Sequence, residues 1–182
     1  MNNEKKFSTK VIVEAGIMLA LATVLSFVKM FKMPQEGSVT LASMFPILLF
    51  ALRHGLGKGL TVGVLYGIIQ FIIEPFMVSP VQFLLDYPLA FGALGLAGLY
   101  SDKIKENKKI TTVLTGCFLG MFGRMICHVI SGVVYFKEYA GDQNPLLYSI
   151  SYNGTYMLVE LIITSIIIYL TWDKINQVAK SM

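Results

Sequence analysis

Apolar runs separated by short polar or basic breaks repeat along the whole chain. After a polar, basic stretch with Lys5, Lys6 and Lys10, a first run extends from Val11 to Val28. It is long enough to cross a bilayer. It is also long for a signal-peptide core, and further spans follow it. KMFKMPQEGS (29–38) reads as a loop, and a second, short run covers about 39–52. RHGLGKG (53–59) reads as a tight basic turn. A third run, about 60–73, stops at Glu74-Pro75, and a fourth, about 80–100, opens on Pro80, which suits a first helical turn. SDKIKENKK (101–109) is a charged loop, 110–136 a fifth run, KEYAGDQNP a polar stretch, and 146–170 a sixth run, with Trp172 where an aromatic interface anchor belongs. The pattern predicts an all-α integral membrane protein, with six transmembrane helices in a single domain over residues 1–182. No internal repeat or low-complexity segment interrupts it.

Composition agrees: 55% of the 182 residues are hydrophobic and 14% charged, outside the ranges of soluble or disordered chains. The net charge of +4 does not point to nucleic acid, because it sits in the loops between apolar runs. Of the 15 Lys and Arg residues, 11 fall on one side: the N-terminus, the 53–58 turn, the 101–109 loop and the C-terminus. The other side carries Lys29, Lys32 and Lys137, and Arg124 lies within a span. The basic side is expected to be cytoplasmic, with both termini inside. Cys117 and Cys127 share one predicted helix, roughly 15 Å apart. They can neither bridge each other nor make a metal framework, and read as packing residues.

Ionisable groups inside spans are costly unless paired or hydrated. Besides Glu14, the candidates are Asp86, Arg124, His128 and Glu160. Arg124 and His128 share a helix face that Ser131 and Tyr135 continue, and Ser149, Asn153, Tyr156 and Glu160 form a second stripe. Pro88, just after Asp86 and Tyr87, disturbs its helix and frees a carbonyl, tolerable in a membrane only under cover of protein or water. Tyr135, Phe136, Tyr139, Tyr148, Tyr152 and Tyr156 crowd the outer ends of the last two helices. Carboxylate, imidazole, amide and aromatic faces together suit a planar, cationic, hydrogen-bonding solute, each aromatic face attracting a cation by about 0.5–2 kcal/mol. Structural readings stand beside this one. Arg124 and Asp86 could form a structural ion pair, His128 could be a satisfied core histidine, and the tyrosines an interface belt. Glu160 is expected to be paired or protonated rather than in ligand contact, and Glu14 to snorkel near the cytoplasmic end. Gly16 and Ala20, one turn apart, offer a small-residue face for a partner helix.

Catalytic motifs are missing. There is no GxxxxGK[ST], HExxH or GxSxG. Asp86 and His128 could make an acid–base pair, but no nucleophile is marked. A small intramembrane enzyme and a purely structural subunit therefore stand as weaker alternatives to a binding protein.

Five segments in order, MPQEGSV (33–39), FPILLFALRHG (45–55), PVQFLLDY (80–87), RMICHVISGVVYF (124–136) and YSISYNGTYM (148–157), closely resemble the thiamine-specific substrate-binding subunits, or S-components, of energy-coupling-factor transporters. The resemblance covers nearly the whole chain. It implies a multi-pass protein of a bacterial plasma membrane that binds thiamine near the outer face, without catalysis or cofactor. It also implies docking on a transmembrane coupling protein with two ATPase subunits, through the face of Gly16 and Ala20. It places Asp86, where the family has glutamate, at the ligand carboxylate, followed by Tyr87. His128, Tyr148 and Asn153 match further ligand positions, Gln82 and Arg124 match polar positions, and Phe136 matches the stacking aromatic. Tyr135, nearer the His128 face, is kept beside it. The tryptophans that some members carry in the first loop and at the end of the fifth helix are absent here, so Met30, Phe31 or Met33 is expected to cover the ligand. A thiamine precursor or another vitamin is the alternative ligand.

Overall fold

A computed structural model describes residues 7–33, 37–107 and 109–181. Lys5, Lys6 and Lys108 of the basic side, and residues 34–36 of the first loop, lie outside the described residues. The described chain forms helices α1 (Thr9–Phe27), α2 (Phe45–His54), α3 (Leu56–Ile73), α4 (Pro80–Asn107), α5 (Ile110–Tyr135) and α6 (Pro145–Ser181). Five of these, all but α2, have the length and apolarity to cross a membrane, α6 over Pro145–Trp172.

The second predicted run is where the fold departs most from expectation. Residues 29–32 and 38–40 are not a simple loop. Strands β1 (Lys29–Lys32) and β2 (Ser38–Thr40) pair antiparallel, with Lys29 opposite Thr40 and an irregularity between Lys29 and Phe31. α2 then has only 10 residues, about 15 Å of helix against a hydrocarbon core of about 30 Å. Its residues from Pro46 to Leu52 are all buried, so α2 is apolar because it forms the centre of the bundle. Between β2 and α2, Ala42 has φ +55° and is fully buried.

The basic turn is shorter than its sequence implies. Gly55, at φ +87°, ends α2, and α3 starts at the next residue. A side chain at that φ would be strained, so glycine lets the two helices turn within one residue. Helix α4 continues through the predicted charged loop to Asn107.

α3 packs on α4 by close backbone approach. A Cβ on Gly63 would lie 2.4 Å from the Phe91 carbonyl oxygen, and one on Gly67 would lie 2.4 Å from that of Tyr87. Gly59, Gly63 and Gly67 recur every fourth residue, the small-residue pattern that lets membrane helices touch. The small-residue face expected from the sequence, Gly16 and Ala20, is not part of this packing. Both residues are exposed, with nothing within 4 Å of a Cβ at Gly16. Two side-chain expectations also change. Glu14 does not merely snorkel, since its carboxylate oxygens lie 3.0 Å from Arg53 Nη1 and 3.0 Å from His54 Nε2, tying α1 to α2. Trp172 is 6% exposed and packs into the core rather than standing in an interface belt. Cys117 is buried and Cys127 partly so, both unbridged.

Candidate ligand-binding site

A cavity of about 640 Å³ lies between the hairpin, the end of α3, the middle of α4, and helices α5 and α6. That is within the usual size of small-molecule sites. Of the residues expected at a ligand site, Gln82, Asp86, Tyr87, Arg124, His128, Phe136, Tyr148 and Asn153 all line it, drawn from α4, α5, the residue after α5, and α6.

Local backbone chemistry sets the polar centre. Pro88 cannot donate, and α4 widens into one π-helical turn over Leu85–Leu89. Such bulges rearrange the backbone without ending the helix. This one places Asp86 against three donors. Its Oδ2 accepts from Gln82 Nε2 at 2.7 Å and from Ser131 Oγ at 2.7 Å, and Oδ1 lies 3.0 Å from His128 Nδ1. Gln82 is itself oriented, because its Oε1 accepts from the Val78 N–H at 3.0 Å. Arg124 Nε donates to His128 Nε2 at 3.2 Å. A guanidinium only donates, so Nε2 is the acceptor and Nδ1 carries the hydrogen that reaches Asp86. The structural ion pair between Arg124 and Asp86 is therefore not direct, because the imidazole stands between them. Arg124 also lies 4.2 Å from the Phe91 ring centroid and rests on the Met44 sulfur. A carboxylate has about four lone-pair directions, and three are taken. Asp86 thus offers the cavity its negative charge and one remaining acceptor direction.

The aromatic wall follows the helix ends. α5 stops at Tyr135, and Phe136, at φ −123° and ψ 18°, has left the helical path. Phe136 stacks with Phe76 (5.9 Å, 25°), and Tyr148 stacks with Tyr152 (6.2 Å, 17°). Tyr135 does not line the cavity. Helical periodicity carries it on from the His128 face, yet it is Phe136, past the helix end, that stands in the wall. On α6, Asn153 Oδ1 accepts from Tyr156 Oη at 2.7 Å, and its Nδ2 donates to the Ser149 carbonyl at 2.9 Å. Part of the Asn153 polar edge therefore holds α6 in shape.

Several wall residues lie outside the set expected from the sequence. Lys29 pairs with Glu74, Tyr87 Oη donates to the Glu74 carbonyl at 2.9 Å, and Ser26, Gln70 and Phe76 complete that side. In the sequence Glu74-Pro75 marks only the end of a span, and a charged residue just before a proline at a helix end is the available signal. Met30, Phe31 and Met33 do not line the cavity. Lys29, Gly37, Ser38 and Thr40 supply the hairpin's share. Glu160 also belongs to the wall, although it is fully buried and bonded to Thr40.

A bundle of apolar helices around a polar, aromatic-walled cavity defines a membrane protein that binds a small solute. Over residues 12–180 the chain matches the family described as thiamine transporter protein (Thia_YuaJ), and it belongs to that family. It is 38% identical to thiamine transporter ThiT of Bacillus subtilis, over all of this chain and 98% of the relative. It is 28% identical to thiamine transporter ThiT of Lacticaseibacillus paracasei, over 87% of this chain and 84% of the relative. Its fold matches a solved structure of ThiT from Listeria monocytogenes with a TM-score of 0.80 and 25% identity, covering 92% of this chain and 95% of that one. The family is one of transporters, so the enzyme reading falls.

Proposed function

We propose that this chain is a high-affinity thiamine-binding S-component. It sits in a bacterial plasma membrane as one domain with six crossings and both termini cytoplasmic, the short α2 and the segment before it serving as the second crossing. It delivers thiamine when docked on a transmembrane coupling protein with two ATPase subunits, through the exposed face of Gly16 and Ala20. The observation that carries the reading is Asp86, a carboxylate fixed by three donors and facing a cavity walled by stacked aromatic pairs, in a chain of the thiamine transporter protein family. Asp86 offsets the thiazolium charge. The rings of thiamine pack on Phe136 and Tyr148, and its polar edges meet Tyr87, His128, Asn153, Gln82 and Arg124.

Calorimetric titration of the purified chain, stripped of carried-over ligand, tests this. Saturable one-to-one binding of thiamine in the nanomolar range is expected. No heat from a monodisperse sample would overturn the vitamin assignment, and equal competition by the aminopyrimidine moiety alone would move it to a precursor. The same titration separates two neighbouring aromatics. Phe136→Ala should weaken binding about tenfold, in line with aromatic contacts of roughly 0.5–1.5 kcal/mol beyond buried area. Tyr135→Ala, off the cavity wall, should change it by less than about twofold. Equal losses would mean that Phe136 is not the stacking residue.

A further inference from the structure

Glu160 is 0% exposed, on α6, at the edge of the cavity. Its Oε1 accepts from both the backbone N–H and the hydroxyl of Thr40, the hydroxyl at 2.7 Å. Its Oε2 is buried and takes no hydrogen bond among the described residues. Removing a carboxylate from water is costly unless donors replace the water. The donors here both belong to one residue, at the end of strand β2. Glu160 therefore acts on the hairpin more than on the cavity.

Thr40 passes that constraint into the turn before α2. Its hydroxyl oxygen accepts from the Ser43 N–H at 3.2 Å and lies 2.8 Å from Ser43 Oγ. Inside that turn is Ala42, buried at φ +55°. A residue other than glycine keeps such a conformation only where its surroundings hold it. Two residues on, Met44 rests its sulfur on Arg124, Arg124 donates to His128, and His128 donates to Asp86. A continuous line of contacts thus runs from Glu160, through the strained turn, to the carboxylate at the ligand site.

We propose that Glu160 is a positioning residue for ligand binding. Through Thr40 it fixes the turn at residues 41–44, and through Met44 and Arg124 that turn holds His128 and Asp86 in their binding geometry. Glu160 does not itself touch the ligand. The proposal rests on the reading of the cavity as a thiamine site.

The test uses the full chain in detergent and the variants Glu160→Gln, Thr40→Val, Thr40→Ser and the double variant Glu160→Gln/Thr40→Val. Release of radiolabelled thiamine and amide hydrogen exchange over residues 39–44 are both measured. Glutamine keeps the shape and an acceptor but loses the charge-assisted bonds, which are roughly twice as strong as neutral ones, so release should be about five- to tenfold faster. Thr40→Val should act in the same direction, and Thr40→Ser, which keeps the hydroxyl, should behave as wild type. The double variant should fall short of the product of the two single effects, because both cut one line. Protection of residues 39–44 should drop in Glu160→Gln. Wild-type release rates in Glu160→Gln and Thr40→Val, or effects that simply multiply, would overturn the proposal. If the wild-type chain binds no thiamine, the vitamin assignment fails by itself. The exchange arm still decides the other question, since unchanged protection in Glu160→Gln means that Glu160 does not fix the turn.

Discussion

Asp86→Asn should lower thiamine affinity about 10- to 150-fold, the loss of a hydrogen-bonded charge worth roughly 1.5–3 kcal/mol. The substitution is nearly isosteric, yet the site has no place for it. If the new amide NH₂ takes the position of Oδ2, the Ser131 hydroxyl can rotate to accept from it, but the Gln82 NH₂ still meets it donor to donor. The Gln82 amide cannot flip freely, because its oxygen already accepts from the Val78 N–H. If the NH₂ takes the position of Oδ1, it faces His128 Nδ1–H. Changing the histidine tautomer then turns Nε2–H toward Arg124 Nε–H. Each orientation leaves two donors head to head, and the counter-charge for a cationic ligand is gone as well. Calorimetry measures the effect directly. Unchanged affinity would remove Asp86 from the ligand site.

Gly63→Ala should destabilise the protein by about 1–3 kcal/mol or more, as overpacking does, whereas Gly57→Ala in the same helix should not. At Gly63 the added carbon meets the Phe91 carbonyl oxygen at 2.4 Å and the Gly92 Cα at 3.0 Å. Both are backbone atoms, so relief requires α3 and α4 to separate. At Gly57 nothing lies within 4 Å, and the change should stay within about ±0.5 kcal/mol, with helix propensity favouring alanine. Thermal midpoints of the two variants in the same detergent make the comparison. Equal midpoints would mean that α3 and α4 do not pack this closely. Thiamine binding should fall alongside stability in Gly63→Ala, because Phe91 lies just beyond the π-helical turn that carries Asp86.

Much of the site is legible in the sequence. Asp86, His128 and Arg124 are conspicuous because ionisable groups in apolar runs require partners, and helical spacing correctly puts Arg124 and His128 on one face. The disturbance at Pro88 is legible too, since a missing N–H must be accommodated somewhere. Its solution as a π-helical turn is not. Phe136 shows the limit of periodicity, because a rule based on 100° per residue fails where the helix ends. Glu74 carries only the weak signal of a charge just before Pro75, and Gln70 and Ser26 carry none, since each, taken alone, resembles an ordinary polar residue near a helix end.

The sequence by itself determined that the chain is a bundle of apolar helices in a membrane, which residues would be costly there, and which family it resembles. These depend on run length, local spacing and residue chemistry, all of which are local properties. Only the tertiary structure decided that α2 is a short helix at the centre of the bundle. Apolarity is the same whether a helix faces lipid or protein, so the pattern could not separate the two. Tertiary structure alone also made Glu160 a partner of Thr40, 120 residues away, and set His128 between Arg124 and Asp86. The second pairing arises where Gly116, Gly120 and Gly123 let α5 lie close against α4, and the first from how the chain turns at Ala42. Nothing in the spacing of residues along one helix encodes its rotation against the next.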